Sequence, residues 1–132
     1  MVEITEQAPI DSYEEFAAAL APLRRRGLRL AIDDLGAGFA SLMHLLRLEP
    51  DLIKLDRALI ADIERHRMTR ALAVALTSFA LETGMLIVAE GIETELQRAL
   101  LTALGVSLGQ GYLLGRPQAL PIRGGGQLRL AS

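Results

Sequence analysis

The chain has 132 residues, 51% hydrophobic and 23% charged, with a formal net charge of −2. That suits one globular domain with a real core, and it gives no general pull toward nucleic acid polymers or anionic membranes. The absence of cysteine excludes a disulfide framework, a thiolate metal site and a cysteine nucleophile. No charged-then-apolar leader opens the chain, and no apolar stretch approaches the ~20 residues that span a bilayer. The expected setting is cytoplasmic.

Apolar runs and helical stretches alternate along the chain. A short strand is expected near residues 2–5. Ser12 and Glu15 then form a capping-box pattern, which opens a helix to about Arg26. Gly27 supplies the left-handed position that ends it. The arginine run Arg24 to Arg26 falls in the last helical turn, where cations suit the dipole, and reads as a solvated face. Strands follow near 28–32 and 52–55. A helix carrying Met68, Leu72, Leu76 and Phe79 on one face ends at Gly84, and a strand near 85–89 follows directly. Thr94 and Gln97 cap another helix, Gly105 ends it, and a fifth strand lies near 106–109. The strands are apolar throughout rather than alternating, which predicts burial on both faces and a parallel sheet. The expected class is α/β with about five parallel strands. Residues 1–122 form one domain, and Gly124 to Gly126 mark a flexible tail over 123–132.

Three of these runs end in acid: Asp33 and Asp34, Asp56, and Glu90. In parallel βα folds the C-terminal strand ends share one face, so acids far apart in sequence converge there. Adjacent carboxylates such as Asp33 and Asp34 repel unless a cation neutralises them. The alternative for this pair is a helix N-cap after a turn. Gly36 and Gly38 in the following loop let the backbone approach a ligand. Lys54 and Asp56 lie two apart, on one face of a strand. A lysine inside an apolar strand is paired or functional, or else the strand is an exposed edge. Glu90 sits at a strand end, whereas Glu93 also fits a plain helix-start acid. Gln110 lies between glycines, which suits a ligand contact or a simple bulge. His44 and His66 read as surface or packing residues on helices. The chain has no His-Glu-x-x-His, no phosphate-binding Gly-x-x-x-x-Gly-Lys loop and no nucleophile elbow. An oxygen-rich carboxylate site favours Mg2+ or Mn2+.

Five segments together resemble the EAL-domain family, the bacterial phosphodiesterases that hydrolyse cyclic di-GMP. They are Val2 to Glu6, Asp33 to Leu42, Pro50 to Asp56, Ala89 to Thr94, and Gly109 to Tyr112 with Pro117. They occur in the family's order and cover residues 2–117.

The resemblance implies a partial TIM-like (β/α) barrel with a two-metal site. On that basis Glu3 and Asp33 look like ligands of a first metal, and Asp33 with Asp34 holds a second. Glu90 is similar to the family's ligand or supporting acid. Lys54 resembles the lysine beside the attacking water, and Gln110 the residue that places water or substrate. Glu6 looks like the acid that steadies the loop after Asp34, with Asp56 and Glu93 as further substrate or loop support. Phe39-Ala40 stands where the family usually has tyrosine then serine. A complete barrel takes about 200–250 residues, so the chain is expected to begin at the family's third strand, without the Glu-Ala-Leu strand and the asparagine segment after it. The resemblance implies that both supply ligands to the first metal, so the two-metal site is expected to be incomplete in this chain and the chain inactive alone. The expected partners are cyclic di-GMP and a second copy of the chain, which would pair along an exposed strand edge in a homodimer. The alternative is a catalytically inactive EAL fragment that acts as a cyclic di-GMP receptor or interaction module.

Overall fold

The structure is a computed structural model. It describes residues 1–5, 8–35, 39–106 and 108–117, with the backbone alone for 39–41. Five strands form one sheet in the order β1 to β5: β1 Val2–Thr5, β2 Leu30–Leu35, β3 Leu52–Leu55, β4 Leu86–Glu90 and β5 Leu108–Gln110. Every neighbouring pair is parallel. Helices α1 Tyr13–Arg25, α2 Phe39–Leu48, α3 Arg57–Asp62, α4 Arg67–Thr83 and α5 Glu95–Ala103 fill the crossovers. This is the expected partial (β/α) barrel sheet. The proposed domain limit at 122 and the tail over 123–132 lie outside the described residues.

The helix punctuation follows the sequence closely. The Ser12 side chain accepts a hydrogen bond from the Glu15 backbone N at 3.2 Å. Thr94 and Gln97 form a complete capping box on α5. Gly84 caps α4 in the left-handed conformation, with φ 71°.

The register places one isoleucine from each of four strands in a row. Ile4 pairs with Ile32, Ile32 with Ile53, and Ile53 with Ile87. All four are buried, none above 5% exposed. They face the helices with Leu30, Leu55 and Ala89, and this layer is the core.

Some expectations fail for physical reasons. Burial on both faces fails beyond β2: β3 and β4 alternate, with Ile53, Leu55, Ile87 and Ala89 buried and Leu86 exposed. In β1 only Ile4 is buried, and all of β5 is exposed. Met68 and Leu72 are exposed on α4, whose buried stripe is Ala73, Leu76, Thr77 and Ala80. The small Ala73 and Ala80 let α4 approach the sheet closely, so its packing stripe is rotated from the one its largest side chains suggest. His66 precedes α4 rather than lying on a helix. His44 is a packing residue on α2, 3.0 Å from the Tyr13 hydroxyl through Nδ1.

Arg24 is no solvated cation. It donates to the carbonyls of Leu48 and Glu49 and to Asp51 Oδ2. Asp51 is the latch at the N-terminal end of the sheet. Its Oδ2 accepts from the Leu30 backbone N at 2.8 Å. Its own N donates to the Leu30 carbonyl, and its carbonyl accepts from Leu86 N. One residue therefore ties β2, β3 and β4 together. Asp51→Ala should lower unfolding stability by about 2–3 kcal/mol in urea titration, because the Leu30 N–H and Arg24 lose a charged acceptor.

Candidate metal centre

Side chains alternate along a strand. With Ile53 and Leu55 turned to the helices, Lys54 must face the other way. The same parity turns Glu3, Asp33 and Glu90 to that open face, because each lies an odd number of residues from the buried Ile4, Ile32 and Ile87. Parallel pairing then brings the four side chains together near the C-terminal strand ends.

A bulge sharpens the arrangement. Ile32 pairs with Ile53, but Leu35 pairs with Leu55. Two residues of β2, Asp33 and Asp34, therefore stand opposite one residue of β3, Lys54. Asp34 adopts φ 57° to make this possible, a conformation that aspartate and asparagine tolerate better than most residues. The Asp34 N–H donates to Asp33 Oδ1 at 3.0 Å, which holds the bulge in shape. Both acids thus belong to the strand rather than capping a helix. The expected strand over 28–32 gives way to 30–35.

The Lys54 ammonium sits inside this acidic group. Its Nζ lies 2.7 Å from Glu90 Oε1, 2.9 Å from Asp33 Oδ1 and 3.5 Å from Glu3 Oε2. Its side chain is only 14% exposed. Burial favours the neutral amine, but the hydrogen bonds it donates to Glu90 and Asp33 and their charges outweigh it, so the ammonium is held above the usual lysine range. Gln110 closes the far side by donating to Glu90 Oε1 at 2.6 Å.

Oxygens of Asp33, Asp34 and Glu90 lie within 4.8 Å of one another. Three carboxylates at that spacing are a hard, all-oxygen donor set, which fits a divalent cation such as Mg2+, Mn2+ or Ca2+. Glu3 joins them through Lys54. Four carboxylates against one ammonium leave a formal charge of −3 (−4 + 1), so the group calls for further positive charge.

The other expected residues fall elsewhere. Asp56 is not on the strand: it is the N-cap of α3 and accepts from Ala58 N at 3.1 Å. Its charge still reaches Asp34. Glu93 forms an ion pair with Arg57 beside the cluster. Glu6 and the glycines of the 36–38 loop lie outside the described residues.

Several neighbours were not singled out from sequence. Beside the expected Glu93, a cleft of about 560 Å³ adjoining Glu90 and Gln110 is lined by Arg57, Tyr112 and Arg116. Arg116 lies over the Tyr112 ring, 4.7 Å from its centre. Arg57 left a trace in the sequence, since a cation in the first turn of a helix opposes the dipole unless a partner holds it. The Tyr112 and Arg116 pair left only a four-residue spacing.

The Glu90 and Gln110 loops are sewn together at Ile92. Its N donates to the Gln110 carbonyl, and its carbonyl accepts from Leu113 N. A Cβ at Gly111 would lie 2.2 Å from the Ile92 backbone, so only glycine permits this seam. The loop is pinned further by Gln97 Oε1, which accepts from the N–H groups of Glu93 and Thr94, and by Glu64, which accepts from the Thr94 hydroxyl.

Asp34 supplies a pH test. Burial, then the charges of Asp33 and Asp56, raise its pKa above the ordinary aspartate value of 3.8. The folded state therefore holds its proton to higher pH than the unfolded state. Stability from this group falls as pH rises from 3.8 through the raised value. Asp34→Asn tolerates the same φ and removes the charge. It should raise the urea midpoint of the metal-free chain at pH 7 and flatten the pH dependence in that window.

Comparison with known proteins matches this geometry to a family. The EAL domain family model matches residues 1–117. The chain is 39% identical over 120 residues to the probable cyclic di-GMP phosphodiesterase PdeA of Escherichia coli strain K12. That match covers 91% of this chain and 16% of PdeA, so the chain spans under a fifth of that relative's length. Among solved structures, the manganese and cyclic di-GMP complex of Klebsiella pneumoniae BlrP1 superposes with TM-score 0.79 and 38% identity, covering 87% of this chain and 29% of BlrP1. The EAL domain of Mycobacterium smegmatis DcpA gives TM-score 0.80 and 34% identity, covering 87% of this chain and 52% of that one. The five-stranded parallel sheet and its ordered motifs place this chain in the EAL-domain family.

Proposed function

We propose that this chain is the metal-binding part of a phosphodiesterase that hydrolyses cyclic di-GMP to the linear dinucleotide. The observation that carries this reading is the convergence of Asp33, Asp34 and Glu90 within 4.8 Å around the strand ends, with Lys54 among them. The likeness to a manganese and cyclic di-GMP complex supports it.

Asp33, Asp34, Glu90 and Glu3 are the residues that would hold Mg2+ or Mn2+. Such cations make bound water a stronger nucleophile and neutralise developing phosphoryl charge. The chain's own residues do the rest. Gln110 fixes the Glu90 carboxylate through a 2.6 Å hydrogen bond. Lys54 offers ammonium protons to the attacking oxygen and to the phosphoryl group. Arg57 and Arg116 line the adjoining cleft and draw the anionic dinucleotide toward it. Water adds to phosphorus, one P–O bond to a ribose breaks, and the ribose oxygen leaves with a proton. The ring opens to a linear product.

A second reading is a receptor that binds the dinucleotide without turnover. Phe39-Ala40, where the family usually has tyrosine then serine, favours it, since that departure weakens the coupling of the loop after Asp34 to the metals.

No helix among the described residues is long and apolar enough to cross a membrane, and the reading places the chain in the cytoplasm, where guanine nucleotides are made. Among the described residues, edge strands β1 and β5 each pair on one side only. We further propose that a second copy pairs along one of these edges.

Joined to the remaining strands of an EAL barrel, this chain with Mn2+ and cyclic di-GMP should yield linear dinucleotide by chromatography, and Asp33→Asn should slow it at least about 100-fold, the scale of losing one charge-stabilising group. Binding without product would favour the receptor, and neither binding nor product would sink both readings. Sedimentation equilibrium should report a dimer; a monomer at high concentration would remove the edge-pairing proposal.

A further inference from the structure

Lys54 is the only lysine in the chain, beside thirteen arginines. Among the described residues it occupies the one position where a cation lies among several carboxylates at once. Arginine is the better residue for a permanent ion pair, because its planar fork grips a carboxylate through two bonds. An ammonium is a compact point charge on a flexible stem, with no fixed fork to break when it moves. The chain uses the less committed cation where commitment would be an obstacle.

The contacts point the same way. Lys54 Nζ touches Asp33 and Glu90, and these are two of the three residues whose oxygens lie within 4.8 Å. A divalent cation held by those residues and the ammonium therefore call on the same two carboxylates. Two cations cannot share them at full strength, because each repels the other at this distance. Gln110 holds Glu90 through a separate bond, so that carboxylate keeps its place when the ammonium leaves.

We propose that Lys54 is a tethered counter-ion that a divalent cation displaces: the ammonium neutralises Asp33, Glu90 and Glu3 before metal binds, and it yields those oxygens when metal arrives. The exchange rests on the metal reading above. It makes Lys54 an antagonist of metal affinity as well as a member of the site. The cluster is never left with four bare carboxylates, and the fold does not depend on metal. The displaced ammonium remains on its stem beside the reacting centre, and there it is free to bond a phosphoryl oxygen.

The test uses the full 132-residue chain and Mn2+ alone. Lys54→Met keeps the length of the stem and removes the charge. Mn2+ affinity, read by electron paramagnetic resonance, should tighten on the order of tenfold or more, because a repelling charge within a few ångströms is gone. In chelator, Lys54→Met should melt lower than the parent, and saturating Mn2+ should abolish that difference. Equal or weaker Mn2+ binding by the folded variant would overturn the proposal, and so would an unchanged melting temperature in chelator. A direct reading on the parent protein stands even if the variant does not fold. Labelling with 15N-lysine gives one side-chain ammonium signal, since there is one lysine. Mg2+ should shift that signal and speed its proton exchange, and no change at Mg2+ saturation would overturn the exchange. If neither parent nor variant binds Mn2+, the metal reading itself fails and the exchange falls with it, an outcome distinct from equal binding by both.

Discussion

Strand parity is the constraint on which the rest of the structure depends. Four isoleucines, Ile4, Ile32, Ile53 and Ile87, line up across the sheet because parallel pairing holds them in register. Their burial against the helices is the hydrophobic gain that fixes which face is which. The charged residues have no independent say. Glu3, Asp33 and Lys54 each adjoin one of those isoleucines in sequence, so each is sent to the opposite face. Slipping any strand by one residue would bury a charge and expose an isoleucine. The core therefore enforces the geometry of the site without touching it.

The bulge in β2 is the one irregularity in this scheme, and it is where the chemistry is densest. It puts two aspartates against one lysine. Asp34 reaches that position through a positive φ, and the bulge is held by a bond from its own N–H to Asp33. On the far side, the β4 and β5 loops are joined through Ile92 and behave as one support for Glu90 and Gln110. The acids on β2 thus rest on a local backbone device. The acid on β4 rests on a seam between two loops.

Much of this was legible in the sequence. The four-residue capping patterns and the glycines after helices gave the crossovers, and apolar runs ending in acid gave the strand ends. Asp33, Asp34, Lys54, Glu90 and Gln110 meet as their positions at strand ends imply. The errors have physical sources. Asp56 reads as a strand residue by spacing, but β3 stops one residue earlier and its carboxylate caps α3. Met68 and Leu72 read as core by size, yet small alanines set the packing stripe of α4. Arg24 reads as solvated by its neighbours in sequence, and its partners at 48, 49 and 51 are invisible to local pattern. The cleft beside Glu90 depends on tertiary approach between Arg57 and the β5 loop, for which a single sequence gives no ruler.

The order of strands in the sheet is also their order in the chain. Each strand pairs with its neighbour in sequence, so the pairing among these five joins no distant segments. The charges are graded across the sheet in the same way: β1 and β2 carry Glu3, Asp33 and Asp34, β3 carries Lys54, and β4 carries Glu90. The one cation stands between the two groups of acids. Local opening of β3 would leave four carboxylates facing one another without it, so that opening is opposed by charge as well as by lost burial.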